Sequence, residues 1–123
     1  MRVLVAGGGI GGLAAAVALR RVGIDVLVFE RAPEIREIGA GLSLWSNAVL
    51  ALRRLGVFEA LEPRTMRCER MITQSSEGRE IDDVDLNPIT ARAGNPTVFA
   101  HRAELQKVLL EAAGTVRAGR AVS

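Results

Sequence analysis

Tyrosine is absent from this 123-residue chain, and its aromatic residues are one tryptophan and three phenylalanines. So few rings leave no material for the stacking platform that single-stranded nucleic-acid binders present. A single cysteine, Cys68, excludes an internal disulfide, and no C-x-x-C pair or metal-ligand spacing accompanies it. Cys68 reads as a small buried hydrophobe. Histidine occurs once, as His101, with no acid or nucleophile beside it, which favours a structural role over catalysis. Excess charge of one sign is also missing. Lys and Arg number 16 against 14 Asp and Glu, a net charge of +2, and the arginines are scattered. Neither nucleic acid nor an anionic membrane is implied as a partner. No apolar run reaches the length of a membrane span. The apolar N-terminus is broken by glycines, so it reads as a strand and not as a signal peptide. A cytoplasmic protein is the default expectation.

Glycine, at 13 residues, is plentiful, and its placement organises the N-terminus. Arg2 to Ala6 is a short, β-branched apolar run, expected as a buried strand. Gly7, Gly9 and Gly12 follow in G-x-G-x-x-G spacing, with Gly11 inside the same turn. Ile10 to Val22 is apolar all round and reads as a buried helix, stopped by Gly23. Asp25 to Phe29 is a second strand, with Glu30 at its tip. This is a βαβ unit built for a dinucleotide. Gly7 permits the sharp turn, Gly9 lets a pyrophosphate approach the backbone, and Gly12 lets the helix lie close to the sheet. The helix N-terminus offers N–H groups and a positive dipole end to phosphates. Glu30, about 20 residues beyond the glycines, is placed to accept hydrogen bonds from ribose hydroxyls. Its charge would repel a 2′-phosphate, which disfavours NADP at this site.

Beyond Arg31 the order becomes mixed. Residues 32–41 read as a loop, with Gly39 and Gly41 flanking Ala40. Leu42 to Leu44 is a short extended piece. A helix capped by Ser46 or Asn47 runs to about Leu55, with Leu50, Leu52 and Leu55 inward. Val57 to Leu61 is a further helical turn. Arg67 to Gln74 and Arg79 to Leu86 read as a β-hairpin around Ser75–Gly78. Asn87 to Pro96 reads as a loop because of its Pro, Gly and Asn breakers. Val98 to Ala100 is a strand, Arg102 to Ala113 a helix with Leu105, Val108, Leu109 and Ala112 on one face, and Thr115 to Ser123 the start of another strand. A βαβ unit followed by half a sheet is not a closed fold, so the chain reads as an N-terminal fragment of a much longer protein. The fold class expected is α/β: a Rossmann-like βαβ unit with a parallel sheet, plus an inserted β-hairpin from an incomplete second sheet.

The sequence resembles the FAD-dependent aromatic-ring monooxygenases, the group that includes salicylate and 4-hydroxybenzoate hydroxylases. The resemblance covers essentially the whole chain. It is carried by VLVAGGGIGGLAAAVALRRVGIDVLVFER, IGAGLSLWSNAVLALRRLG, the hairpin, and HRAELQKVLLEAAG. It implies FAD as cofactor, NADH or NADPH as co-substrate, and a small aromatic molecule as substrate. It implies an FAD-binding part over residues 1–63, hairpin and loop of an incomplete substrate domain over 64–97, and a return to the FAD-binding part over 98–123. It also implies residue roles. Gly7, Gly9, Gly11 and Gly12 would face the cofactor, Glu30 would hold the adenosine ribose, and Arg31 would lie at the adenine. Gly41, with Gly39 and Ala40, would pass near the isoalloxazine, and Ser43 would face flavin or substrate. Arg102 would reach the FAD phosphates or the flavin edge, and Val122 would contact the adenine through its backbone. The D-G and G-D segments that such enzymes carry later are absent here, so the fragment should bind FAD poorly and hydroxylate nothing alone.

Two other classes stay open. One is an NAD-dependent dehydrogenase or other flavin oxidoreductase, which would continue the parallel sheet and put helices where the hairpin is expected. The other is a non-catalytic truncated module, whose open edge strands and apolar surface would favour association into a homo-oligomer.

Overall fold

In the computed structural model, which describes residues 1–33 and 40–119, β1 (Arg2–Ala6), α1 (Ile10–Arg21) and β2 (Asp25–Phe29) form the βαβ unit. The strands pair in parallel from Arg2↔Asp25 to Ala6↔Phe29. β8 (Val116–Arg117) joins the far edge of β2, giving the order β1-β2-β8. Val26 and Val28 point under α1 and are buried. Residues on the opposite face are wetter, and Leu4 is 59% exposed. The expectation of a buried first strand is therefore corrected. Among the described residues β1 pairs only with β2, and its Leu4 face is largely uncovered.

α1 buries Leu13, Ala16 and Val17 but leaves Gly11, Ala15 and Ala18 exposed. It is a one-sided helix and not one buried all round. Small residues on its outer face hide that asymmetry, because alanine is apolar by composition yet indifferent to exposure. α5 (Arg102–Ala113) packs beside it. Arginines at the end of α1 tie these helices to their neighbours. Arg20 donates to the Val26 carbonyl at 2.7 Å, and Arg21 donates to the Leu55 carbonyl at 3.3 Å. Both cations lie near helix C-termini, where the dipole favours them.

A second sheet is antiparallel, in the order β3 (Gly41–Leu44), β7 (Thr97–His101) and β4 (Thr65–Cys68). Leu44, Val98 and Ala100 face inward and join Val49, Leu52, Phe58, Leu61, Leu105, Val108 and Leu109 in one core that also reaches α1 and β2. The register places Ser43 and Met66 on either side of Phe99, all three exposed on the outer face.

The hairpin exists, formed by β5 (Arg70–Gln74) and β6 (Glu80–Asp85) around a turn in which Gly78 has φ +81°. Its expected first arm is divided, however. Residues 65–68 belong to the second sheet, and Glu69 separates them from β5. A loosely alternating run cannot reveal that its two halves pair with different partners. Of residues 87–96, expected as a loop, 87–93 are corrected to a helix, α4 (Asn87–Ala93), and 94–96 remain irregular. Pro88 sits in its first turn, where its missing N–H costs nothing, and Gly94 at φ +68° ends it. The apparent breakers are the helix's own start and stop.

α2 (Ser46–Arg54) begins after Trp45 without a side-chain cap, so neither Ser46 nor Asn47 caps it. Its inward residues are Ser46, Val49 and Leu52, and Leu50 is 37% exposed. Residues 58–61 form the short α3 (Phe58–Leu61), followed by a 3-10 turn. In α5, Ala113 and not Ala112 is buried, along with Ala103 and Gln106. Residues 120–123, the end of the expected last strand, lie outside the described residues.

Candidate functional site

The glycine turn between β1 and α1 is held from three sides. Gly7, at φ +107°, donates its N–H to the Phe29 carbonyl at 2.7 Å, extending the strand pairing by one bond. The Gly8 N–H donates to Glu30 Oε2 at 2.6 Å. Gln106 Nε2 on α5 donates to the Gly8 carbonyl at 3.2 Å. Gly9 precedes α1 in extended conformation, and its carbonyl accepts the first helical bond from Leu13 at 2.9 Å. The helix has no side-chain cap and no acid in its first turn. Its N-terminal amides and dipole thus remain oriented for an anion.

The glycines of the turn serve different ends. A Cβ on Gly9 or Gly11 would meet nothing within 4 Å, so the space beside both is open. A Cβ on Gly12 would lie 2.0 Å from the Gly7 carbonyl oxygen. Gly12 therefore lets the turn close on itself, with Val5 also nearby. This is the cradle a diphosphate needs: backbone amides, open space and no side chain in the way.

Glu30 stands at the mouth of the turn. Its Oε1 accepts from the Ala32 N–H at 2.8 Å, while Oε2 holds Gly8. These bonds, Ala32 first and Gly8 second, hold its carboxyl below the usual range, so it is a stable anion. A carboxylate accepts about four hydrogen bonds, so lone pairs remain for a ligand's hydroxyls. Arg31 follows it, exposed.

A second group of residues gathers at one end of the antiparallel sheet. Gly41 pairs with His101, Ser43 with Phe99, and the Arg102 N–H donates to the Ala40 carbonyl at 3.2 Å. An open cleft of about 460 Å³ lies here, lined by Gly41, Arg64, Met66, Phe99 and His101 among others. His101 does structural work, its Nδ1 accepting from the Ala103 N–H at 3.3 Å to cap α5. α5 joins the two groups. It starts at Arg102 beside Gly41 and reaches the glycine turn four residues later through Gln106, about 6 Å along its axis. Gly39 and Val122 lie outside the described residues.

Gln106 was not singled out in the sequence, although a signal exists. It is the polar member of a buried set otherwise made of Ala103, Leu105, Val108, Leu109 and Ala113. Among the described residues no three of His, Cys, Asp and Glu are grouped to hold a metal ion, and no helix is long and apolar enough to cross a membrane.

Comparison with known proteins accords with this geometry. The chain is 43% identical over 114 residues to the aurachin C monooxygenase/isomerase of Stigmatella aurantiaca, covering 93% of this chain and 30% of that protein. It is 44% identical over 113 residues to the 3-hydroxybenzoate 6-hydroxylase of Polaromonas naphthalenivorans, covering 90% of this chain and 28% of that one. The crystal structure of Klebsiella pneumoniae HpxO complexed with FAD and uric acid superposes with a TM-score of 0.85 at 36% identity, over 97% of this chain and 31% of the other. The chain thus spans about 30% of the length of these relatives. Residues 1–120 match the family described as FAD binding domain, and the chain belongs to that family.

Proposed function

We propose that this chain is the cofactor-binding N-terminal part of an FAD-dependent monooxygenase that hydroxylates an aromatic or related small molecule, with NADH or NADPH as reductant. The observation that carries the proposal is the open glycine turn with the Glu30 carboxylate bonded across its mouth to Gly8. The similarity to hydroxylases supports the reaction class.

Residue by residue, Gly7, Gly9, Gly11 and Gly12 form the diphosphate cradle, and Glu30 accepts from the adenosine ribose. Arg31 flanks the adenine. Gly41 and Ser43 lie along the isoalloxazine, and Arg102 faces the phosphates or the flavin edge. When bound, the flavin supplies the redox and oxygen chemistry, while the protein contributes binding, orientation and exclusion of water. The exposed row of Ser43, Phe99 and Met66 supports a flat partner on that face of the sheet. Residues 64–97 contribute the first piece of a substrate domain, between FAD-binding parts at 1–63 and 98–123. A strand hairpin at β5–β6, rather than helices, weighs against the dehydrogenase alternative. The need for reduced nicotinamide argues for a cytoplasmic protein.

The test is FAD affinity in the intact protein, followed by flavin fluorescence. Glu30→Ala should weaken binding roughly 10- to 100-fold, the value of a charged hydrogen bond. An affinity equal to that of the unaltered protein would refute the assigned role.

A further inference from the structure

We infer that Gln106 is a positioning residue for the glycine turn, fixing the peptide plane that presents the Gly9 N–H to the diphosphate. The inference rests on the reading of that turn as the FAD site, and it concerns a residue to which no ligand contact is assigned.

The argument begins with the cost of burying an amide. Gln106 is 8% exposed on a helix face otherwise apolar. A buried amide is unfavourable unless its hydrogen bonds are made, and a residue serving only packing would be leucine or methionine. Its Nε2 reaches the Gly8 carbonyl at 3.2 Å, 98 positions away in sequence. Gly8 is itself buried. No peptide bond among the described residues is cis, so the Gly8 C=O and Gly9 N–H point in opposite directions across one rigid plane. Holding the carbonyl toward α5 therefore aims the Gly9 N–H away from it. On the other side of Gly8, Glu30 accepts the N–H at 2.6 Å and fixes the preceding plane. Two successive peptide units are thus locked by side chains from β2's tip and from α5. Glycine backbone is the freest in the chain, so this locking moves an ordering cost from ligand binding to folding.

The experiment compares the intact protein with Gln106→Met, which keeps the shape and removes the amide. Two quantities are read: FAD affinity, and hydrogen exchange of individual amides without ligand. The two locked planes meet at the Gly8 Cα, so freeing the Gly8 carbonyl also loosens the Gly8 N–H that Glu30 holds; the clamp predicts faster exchange at the Gly8 N–H with Val28 and Leu109 amides unchanged, and FAD binding weakened roughly fivefold. Unchanged Gly8 exchange, or exchange that rises equally at Gly8, Val28 and Leu109, overturns it, the second result meaning that Gln106 only supports the fold. Faster Gly8 exchange with unchanged FAD affinity overturns it too. A protein that takes up no FAD refutes the cofactor assignment instead, and Gly8 exchange still decides whether the clamp exists. In the unaltered protein the Gln106 side-chain NH₂ must exchange slowly. Rapid exchange there overturns the inference without any variant.

Discussion

A Cβ placed on Gly12 would sit 2.0 Å from the Gly7 carbonyl oxygen, while one on Gly9 would touch nothing within 4 Å. Identical substitutions should therefore fail in different ways. Gly12→Ala must push the turn off the helix and is expected to lower stability by about 1–3 kcal/mol, the usual cost of overpacking. Gly9→Ala has φ −76° and free space, so unfolding should change by less than about 1 kcal/mol while FAD binding is weakened by the methyl in the cradle. Denaturant titration and flavin fluorescence on both variants check the contrast. Glu30 adds a pH dependence. Backbone bonds from Ala32 and Gly8 depress its carboxyl in the folded state. Its stabilising contribution is therefore present above the range where the unfolded carboxyl titrates, and is lost as pH falls through the lower folded value. Glu30→Gln should flatten that part of the acid limb in unfolding measured against pH. An unchanged limb would show that the bonds to Gly8 and Ala32 contribute nothing.

Among the elements, α5 does the most joining. It packs on α1, starts beside β3 and closes against Arg20 at its C-terminal end. Gly114 there has φ +70° and ψ −132°, and a Cβ would come within 2.6 Å of Arg20 Nη1. Gly114→Ala is expected to cost about 1–3 kcal/mol from backbone strain, whatever the arginine does. Pairing it with Arg20→Ala separates the two effects. The double variant should recover only the crowding part, which denaturant midpoints can resolve. α4 carries a different lesson. Pro88 and Gly94 resemble loop breakers when read one at a time, yet they bracket a helix of seven residues. Punctuation residues mark ends, and only the spacing between two ends tells helix from loop. The hairpin's first arm misleads for a related reason, since its alternation is the same on both sides of Glu69 while the pairing partner changes.

In the molecule as a whole, one core ties a parallel sheet to an antiparallel one, and among the described residues two of the exposed apolar surfaces lie on these sheets. One is the Leu4 face of β1, an edge strand that pairs only with β2 among the described strands. The other is the row of Met66 and Phe99, 70% and 42% exposed. Exposed apolar area beside a free strand edge promotes association. The 123-residue chain should therefore sediment as more than a monomer at high concentration, and Leu4→Lys should shift it toward monomer without lowering the unfolding midpoint. A wild-type chain that stays monomeric would remove this expectation. The βαβ unit was legible from residues alone because its signals are local: a strand, a turn that only glycine permits, a helix and an acid at a set spacing. The spacing placed Glu30 close to that turn, while its bond to the Gly8 N–H came only from the structure. Gln106, the division at Glu69 and the open face of β1 were not legible. Each depends on which distant segment lies alongside. Covalent spacing fixes local conformation through sterics and hydrogen bonding, whereas long-range neighbours are chosen only when the whole apolar surface is packed at once.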